Sequence, residues 1–403
     1  MKEQSVKRFF SEKLLLPVAV ALSLNMAFGQ DNRGKIIPMP VKVENFFAER
    51  DTVVLSFIGD VMQHGRQLRN ALIPGADPDC DSSYDYSYTF KYIEKEIENS
   101  DITVANMEFP VGIPPYTGYP KFSAPLSIAK QAMTSGIDLF LVANNHLMDR
   151  GERGISRTLR LYDSIGANYT GAYRDSLQEL RENPRILVAK GVKIAFLNFT
   201  YGTNGFPVPH PYIINGMDSV EVKRAVARGF ERGADIIVAM PHWGDEYSLY
   251  PNKEQQRWVA MLKRAGVRVI IGGHPHVPQT AECEYIEGLA PGERVIRSIL
   301  FYSLGNYISN QSIPDYTQLE LMVTITLVKD NRYGSIELLP PEYRFLWCFK
   351  AGEFEKDYTV VPADYFKNNP VEIKRVKEEE YKRMENTCKY IRGLGLYKEL
   401  YHE

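Results

Sequence analysis

From residue 51 the chain alternates between short apolar, β-rich runs and longer amphipathic stretches. Strands are predicted at Thr52–Ile58, Ile102–Asn106, Leu139–Ala143, Arg185–Ala189, Lys193–Phe199, Ile236–Met240 and Val267–Ile271. Helices are predicted near Tyr88–Glu98, Glu152–Ser164, Val220–Glu231 and Glu254–Arg264. Strand and helix in alternation point to an α/β layered domain. Beyond Glu282 the texture changes, with β-rich runs at Arg294–Ser303, Leu319–Lys329 and Ser335–Trp347 and little helix between them. A second sheet accounts for these runs most economically. The charge-rich stretch Pro370–Glu403 reads as a solvated helix packed on the outside. Boundaries follow: residues 1–29 as a leader, 30–50 as a lead-in, 51–347 as the main domain and 348–403 as a C-terminal extension.

The leader is a secretory signal peptide by pattern. Lys2, Lys7, Arg8 and Lys13 precede the apolar run Leu14–Leu24, and Ala27-Phe28-Gly29 offers a small-residue cleavage site. The run is too short, and too interrupted by Pro17 and Ser23, for a membrane anchor. The expected product is exported, without a transmembrane anchor. Four cysteines (Cys80, Cys283, Cys348, Cys388) in 403 residues are neither a disulfide framework nor a zinc knuckle, though export leaves one or two bridges open. Forty-eight basic against fifty acidic residues give a formal charge of -2, which excludes a surface built for nucleic acid. Function has to come from a site.

That site is marked by where polar residues fall. In α/β sheets ligands sit beyond the carboxyl ends of strands. Five apolar runs here end in Gly59-Asp60 with His64 beyond, Asn106-Met107-Glu108, Asn144-Asn145-His146 with Asp149 beyond, His242-Trp243-Gly244-Asp245-Glu246, and Gly272-Gly273-His274-Pro275-His276. A single such residue has ordinary explanations as a cap or a turn former. Five strand ends bringing carboxylates, amides and imidazoles to one sheet edge form the donor set of first-row divalent cations. The donors outnumber one coordination sphere, so two metals are expected, with manganese, iron and zinc all compatible. His210 and His402 fall outside the pattern.

These motifs, continued by Tyr302-Ser303-Leu304-Gly305-Asn306 with Gln311, come in the order found in the CapA family of poly-gamma-glutamate capsule synthesis proteins, which this sequence resembles over roughly residues 50 to 312. The resemblance implies a four-layer metallophosphoesterase-like sandwich of two mixed β-sheets flanked by helices. It implies that Asp60 binds a first metal, Glu108 bridges, Asn145 and His242 bind a second, and His274 and His276 complete the spheres. His146, oriented by Asp149, matches the residue that protonates the leaving group. Arg66, Trp243, Glu246, Tyr247, Gln279 and Asn306 are the candidate substrate contacts, with core packing the simpler reading of Trp243, and Arg69 and Arg150 add nearby charge. The sequence departs from the phosphoesterase pattern in having Met62 where the second residue after the aspartate is histidine, so the first metal loses a ligand unless His64 supplies it. The implied role is synthesis, assembly or release of an extracellular polymer, beside membrane-bound capsule synthesis proteins, with a polyanionic polymer or a phosphoester as substrate. A metal-retaining polymer-binding scaffold and a periplasmic metallophosphodiesterase are the alternatives.

Overall fold

The computed structural model describes residues 50–288, 292–350, 352, 354, 356–398 and 400, together with two short strands near the N-terminus. Those two strands, Met26–Gln30 and Ile36–Pro40, pair antiparallel in a unit of their own, Met1–Glu49. Most of the expected leader lies outside the described residues. Among the described residues no helix is long and apolar enough to cross a membrane.

The second unit, Arg50–Glu403, contains two mixed sheets. Besides a two-stranded ribbon of Ala172–Tyr173 and Ile213–Ile214, the strands of these sheets are β1 (Arg50–Val61), β2 (Ile102–Met107), β3 (Leu139–Leu141), β4 (Asn168–Thr170), β5 (Arg185–Ala189), β6 (Val192–Thr200), β7 (Ile236–His242) and β8 (Val269–Ile271). They continue with β9 (Ala281–Glu287), β10 (Arg294–Phe301), β11 (Asn306–Ile308), β12 (Leu319–Asp330), β13 (Ser335–Leu338), β14 (Glu342–Phe349) and β15 (Thr359–Pro362). One sheet runs β15-β14-β12-β1-β2-β3-β4, with β11 added to the end of β1 and β13 to β12. The other runs β9-β10-β8-β7-β6-β5.

Alternation along the strands builds three cores from two sheets. Val53, Leu55 and Phe57 of β1 and Val104 of β2 face Ile194, Phe196, Val238, Met240 and Val269 of the second sheet, forming the layer between the sheets. On the outer face of the first sheet, Ile58, Ala105 and Phe140 bury Ile128 and Ala132 of α2 (Ser127–Thr134) and Ile155, Leu159 and Tyr162 of α3 (Gly151–Ser164). On the outer face of the second, Ala195, Leu197, Ile237 and Ala239 bury Val222 and Val226 of α4 (Ser219–Glu231) and Val259 and Leu262 of α5 (Lys253–Arg264). The last two helices start where their sequences direct. Asp218 accepts from the backbone N–H groups of Val220 and Glu221, and Asn252 forms a capping box with Gln255. The result is the four-layer sandwich that the family resemblance implied.

The strands are distributed differently from the sequence reading. β9 and β10 complete the sheet of β5–β8, whereas β12, β14 and β15 return to the sheet of β1–β4. The reason is β1, whose residues 50–57 need an antiparallel neighbour and find it in β12. The expected run Ser335–Trp347 is two strands, because Pro340 and Pro341 cannot extend the ladder. The expected helix Tyr88–Glu98 is two single turns, Ser87–Phe90 and Glu94–Ile97. Phe90 stacks on Tyr307 while Tyr92 packs on Phe354 and Tyr365, so neighbouring rings anchor the segment in different directions. The segment expected as an extension shares the core: β15 pairs with β14, and Met384, Cys388 and Ile391 of α6 (Glu378–Gly393) lie in the cluster between the sheets. Among the described residues the cysteines form no disulfide.

At the carboxyl end of β1 the ladder to β2 shifts register between Ile58 and Asp60, a bulge that re-aims the strand end. Gly59 makes this possible, since a Cβ there would lie 2.0 Å from the Gly305 carbonyl oxygen. Gly59→Ala is therefore expected to destabilise the domain by on the order of 3 kcal/mol, the upper part of the overpacking range, as read by urea denaturation of the cation-free protein.

Candidate metal centre

Five strand ends from both sheets converge, as the sequence pattern anticipates. β1 delivers Asp60, whose backbone N–H donates to Gly305 O at 2.9 Å, while Gly59 N donates to the buried Glu320 Oε1 at 2.6 Å. β2 delivers Asn106 and, just beyond its end, Glu108, and β7 delivers His242. The segment after β3 supplies Asn145, His146 and Asp149, and the segment after β8 supplies His274 and His276. Both of these histidines have positive φ, 98° and 60°, a backbone state that non-glycine residues hold only where their surroundings impose it. Here His274 N donates to Asp60 Oδ2 at 3.2 Å, and Asn306 Oδ1 lies 3.0 Å from His276 Nδ1.

Three overlapping groups of ligand atoms result: Glu108, His242 and His274; Asp60, Glu108 and His276; and Glu246, His274 and His276. Within each group the atoms lie within 4.8 Å of one another. Glu108 Oε1 lies 3.6 Å from His242 Nε2 and 3.9 Å from His276 Nε2, and Asp60 Oδ2 lies 3.3 Å from His276 Nδ1. Asn145 Oδ1 is 2.9 Å from His242 Nε2.

The electrostatics suit a cation. Burial, and then the negative charges of Asp60, Glu246 and Asp149, push the Glu108 carboxyl well above its ordinary range. Burial and the neighbouring imidazoles push His242 and His274 well below theirs, so these nitrogens keep their lone pairs. Glu108 Oε1 and His274 Nδ1 are buried without a hydrogen-bond partner. Orphaned donor atoms of the right chemistry, on residues that share Glu108, fit divalent cations.

His64 does not join this set. Its Nδ1 accepts from Asn310 N at 3.3 Å and lies 3.1 Å from Gln67 Oε1, and burial lowers its pKa to about 4. Asn106, which sequence reasoning noted but gave no role, stands in the centre instead. Its Nδ2 donates to Asp60 Oδ1 at 2.8 Å and to Glu108 Oε2 at 3.1 Å. The signal was its position two residues before Glu108, beside the end of β1.

His146 Nδ1 lies 2.8 Å from Asp149 Oδ2, which also accepts from Phe122 N at 2.8 Å. The Phe122 ring stands edge-on to His146, with centroids 4.6 Å apart. His146 opens on a cleft of about 530 Å³ whose lining includes Arg66, Arg69, Tyr119, Glu246, Tyr247 and His276. Three expected substrate contacts are elsewhere. Trp243 is buried, donating Nε1–H to Tyr302 O at 2.9 Å, because its strand end turns it onto the outer face of the second sheet. Gln279 is buried and holds the carbonyls of Ser248 and Tyr250 at 2.9 and 3.3 Å, fixing the loop after β7. Asn306 is buried and positions His276 rather than a substrate. Arg150 is spent on the loop at Pro115 and Thr117. A sixth strand end was missed: β6 is followed by Tyr201, whose ring lies 4.6 Å from that of His274, and by Asn204, which accepts from Asn145 Nδ2 at 3.3 Å. Its signal was a polar turn, Thr200-Tyr201-Gly202-Thr203-Asn204, directly after an apolar strand.

Residues 54–311 match the family model described as bacterial capsule synthesis protein PGA_cap. The chain belongs to the PGA_cap family. Over 309 residues it is 27% identical to the capsule biosynthesis protein CapA of Bacillus anthracis, covering 72% of this chain and 68% of that one. Over 206 residues it is 32% identical to the PGA biosynthesis protein CapA of Bacillus subtilis strain 168, covering 49% of each. Solved structures similar to it include the calcineurin-like phosphoesterase YfkN from Bacillus subtilis, at 14% identity and a TM-score of 0.40, covering 85% of this chain and 100% of that one. Another is the Haemophilus influenzae NAD nucleotidase, at 12% and 0.43, covering 86% and 61%. In this PGA_cap chain every candidate ligand lies inside the matched span, whereas Glu320, which grips the strand end carrying Asp60, lies beyond it.

Proposed function

We propose that this PGA_cap protein is an exported envelope hydrolase with a binuclear divalent-metal centre, acting on a polyanionic capsule polymer of the poly-gamma-glutamate kind. The observation that carries this reading is Glu108 Oε1, an orphaned buried oxygen shared between two groups of ligands beside an arginine-bearing cleft. Asp60, Glu108 and His276 would hold one cation, and Glu108, Asn145, His242 and His274 the other. Bound there, divalent cations supply Lewis-acid polarisation of an acyl or phosphoryl oxygen and activation of water. The chain's own residues do the rest. Asp149 fixes the His146 imidazole through Nδ1, leaving Nε2 to pass a proton to a departing group. Arg66 and Arg69, three residues apart in α1 (Gly65–Ala71), present positive charge to a polyanion along one side of the cleft.

The test is metal stoichiometry on protein purified without chelator, followed by assays with poly-gamma-glutamate, phosphodiester and phosphomonoester substrates under each metal. Two equivalents per chain and turnover of the polymer support the reading; inertness with every metal overturns catalysis. The combined Arg66→Ala and Arg69→Ala variant is expected to bind poly-gamma-glutamate roughly tenfold more weakly, with a shallower salt dependence and unchanged metal content.

One observation favours a second reading, a scaffold that grips polymer without turnover. Among the described residues the group of Asp60, Glu108 and His276 has three side-chain ligands and gains no fourth from the first motif, since Met62 stands at the histidine position and His64 is engaged with Gln67 and Asn310. Polymer binding that persists in His146→Ala, without turnover in the parent, would select it.

A further inference from the structure

Asn145 brings to the centre an amide, a group with two unlike ends. Only the oxygen end can ligate a cation, so the amide must be prevented from turning over. The oxygen points inward, with Oδ1 2.9 Å from His242 Nε2. The nitrogen end meets the turn after β6. Asn145 Nδ2 donates to Asn204 Oδ1 at 3.3 Å. Asn204 Oδ1 therefore faces the Nδ2 end, and reversing the Asn145 amide would set its oxygen against another amide oxygen on that side.

The turn is itself held against the site. Tyr201 N donates to His242 O at 3.0 Å, the Thr203 hydroxyl donates to Phe206 O at 2.6 Å, and Phe206 N returns a bond to Thr203 O at 2.9 Å. Asn204 takes a left-handed φ of 50°, which aims its side chain across the rim at Asn145. Its other end contributes little: Nδ2 is 3.5 Å from His146 Nδ1, and that nitrogen is committed to Asp149.

We propose that Asn204, supported by Tyr201, is a positioning residue that fixes the amide of Asn145 with its oxygen toward the cation shared with His242. The inference rests on the metal-centre reading above. It assigns a role to a strand end that neither the motif pattern nor the family resemblance singles out.

The experiment titrates manganese(II) into the full chain, following free cation by electron paramagnetic resonance, for wild type, Asn204→Ala and Asn204→Asp. The alanine variant removes the acceptor. It is expected to weaken one of the two equivalents about tenfold, the lower part of the range for loss of an outer-shell partner, leaving the other unchanged. The aspartate variant keeps an acceptor for Nδ2 and is expected to stay within about twofold of wild type. Asn204→Ala binding like wild type overturns the proposal, as does Asn204→Asp losing as much as Asn204→Ala. A fall in the thermal midpoint of the cation-free alanine variant matching its binding loss overturns it too, because the turn would then matter only to folding. Wild-type protein that takes up neither manganese(II) nor, by elemental analysis, zinc(II) or iron(II) overturns the metal-centre reading and this inference together; a preference for zinc(II) or iron(II) moves the same comparison of variants to that cation, and normal wild-type uptake with an unaffected alanine variant overturns this inference alone.

Discussion

Glu108→Gln is expected to abolish uptake of both cations while leaving the fold intact. The substitution keeps the volume of the side chain and removes the one carboxylate that belongs to two of the three ligand groups. Its cost in affinity should exceed the roughly 10–100-fold that follows loss of an outer-shell partner, and calorimetric titration reads it directly. Stability supplies an independent check. The folded protein holds the Glu108 proton to higher pH than the unfolded chain, whose carboxyl titrates near 4.5. The stability of the cation-free protein therefore falls as pH rises above that value through the raised folded pKa, and the glutamine variant lacks this loss. His242 and His274, lowered from 6.5, act in the opposite sense, adding stability as pH rises toward 6.5. Thermal midpoints in chelator should thus separate variant from wild type increasingly above pH 4.5, in favour of the variant. A wild type that is no less stable than Glu108→Gln across that window would remove the buried-carboxyl argument.

His146→Ala is expected to leave both cation equivalents in place and to lower turnover by about 100- to 10,000-fold, the range for losing a positioned general acid. Its Nδ1 is committed to Asp149, and its ring is in none of the three ligand groups. The loss should be smallest with activated esters, whose leaving groups depart without a proton. A uniform loss across leaving groups would point to a binding role instead.

Much of this centre was legible because its residues follow apolar strands directly. Asp60, Glu108, Asn145, His242, His274 and His276 were all read from strand ends, and the geometry brings them together. Burial was harder to read. Trp243 and Gln279 sit within a few residues of ligands in the chain and Asn306 in a later motif, but all three are buried, where Trp243 bonds Tyr302 O, Gln279 braces the loop after β7 and Asn306 positions His276. Asn106 and Asn204 act through the side chains they touch, and a contact between distant segments leaves little local trace in a sequence. Sheet membership failed for a similar reason: alternation identifies a strand without naming its neighbour, so the return of β12 to β1 was not visible.

That return governs the order in which the protein can be built. β1 is the first strand of its unit to be synthesised, and its partner over residues 50–57 is β12, whose span Leu319–Asp330 emerges more than 250 residues later. Until then β1 carries an open, strongly apolar edge, the kind of template on which chains pair with one another. A fragment cut to the matched span 54–311 would keep that edge open permanently and lose Glu320 as well. Such a fragment would contain every candidate ligand and still be expected to aggregate before holding a metal. The last quarter of the chain is thus the step that commits newly made protein to an assembled site.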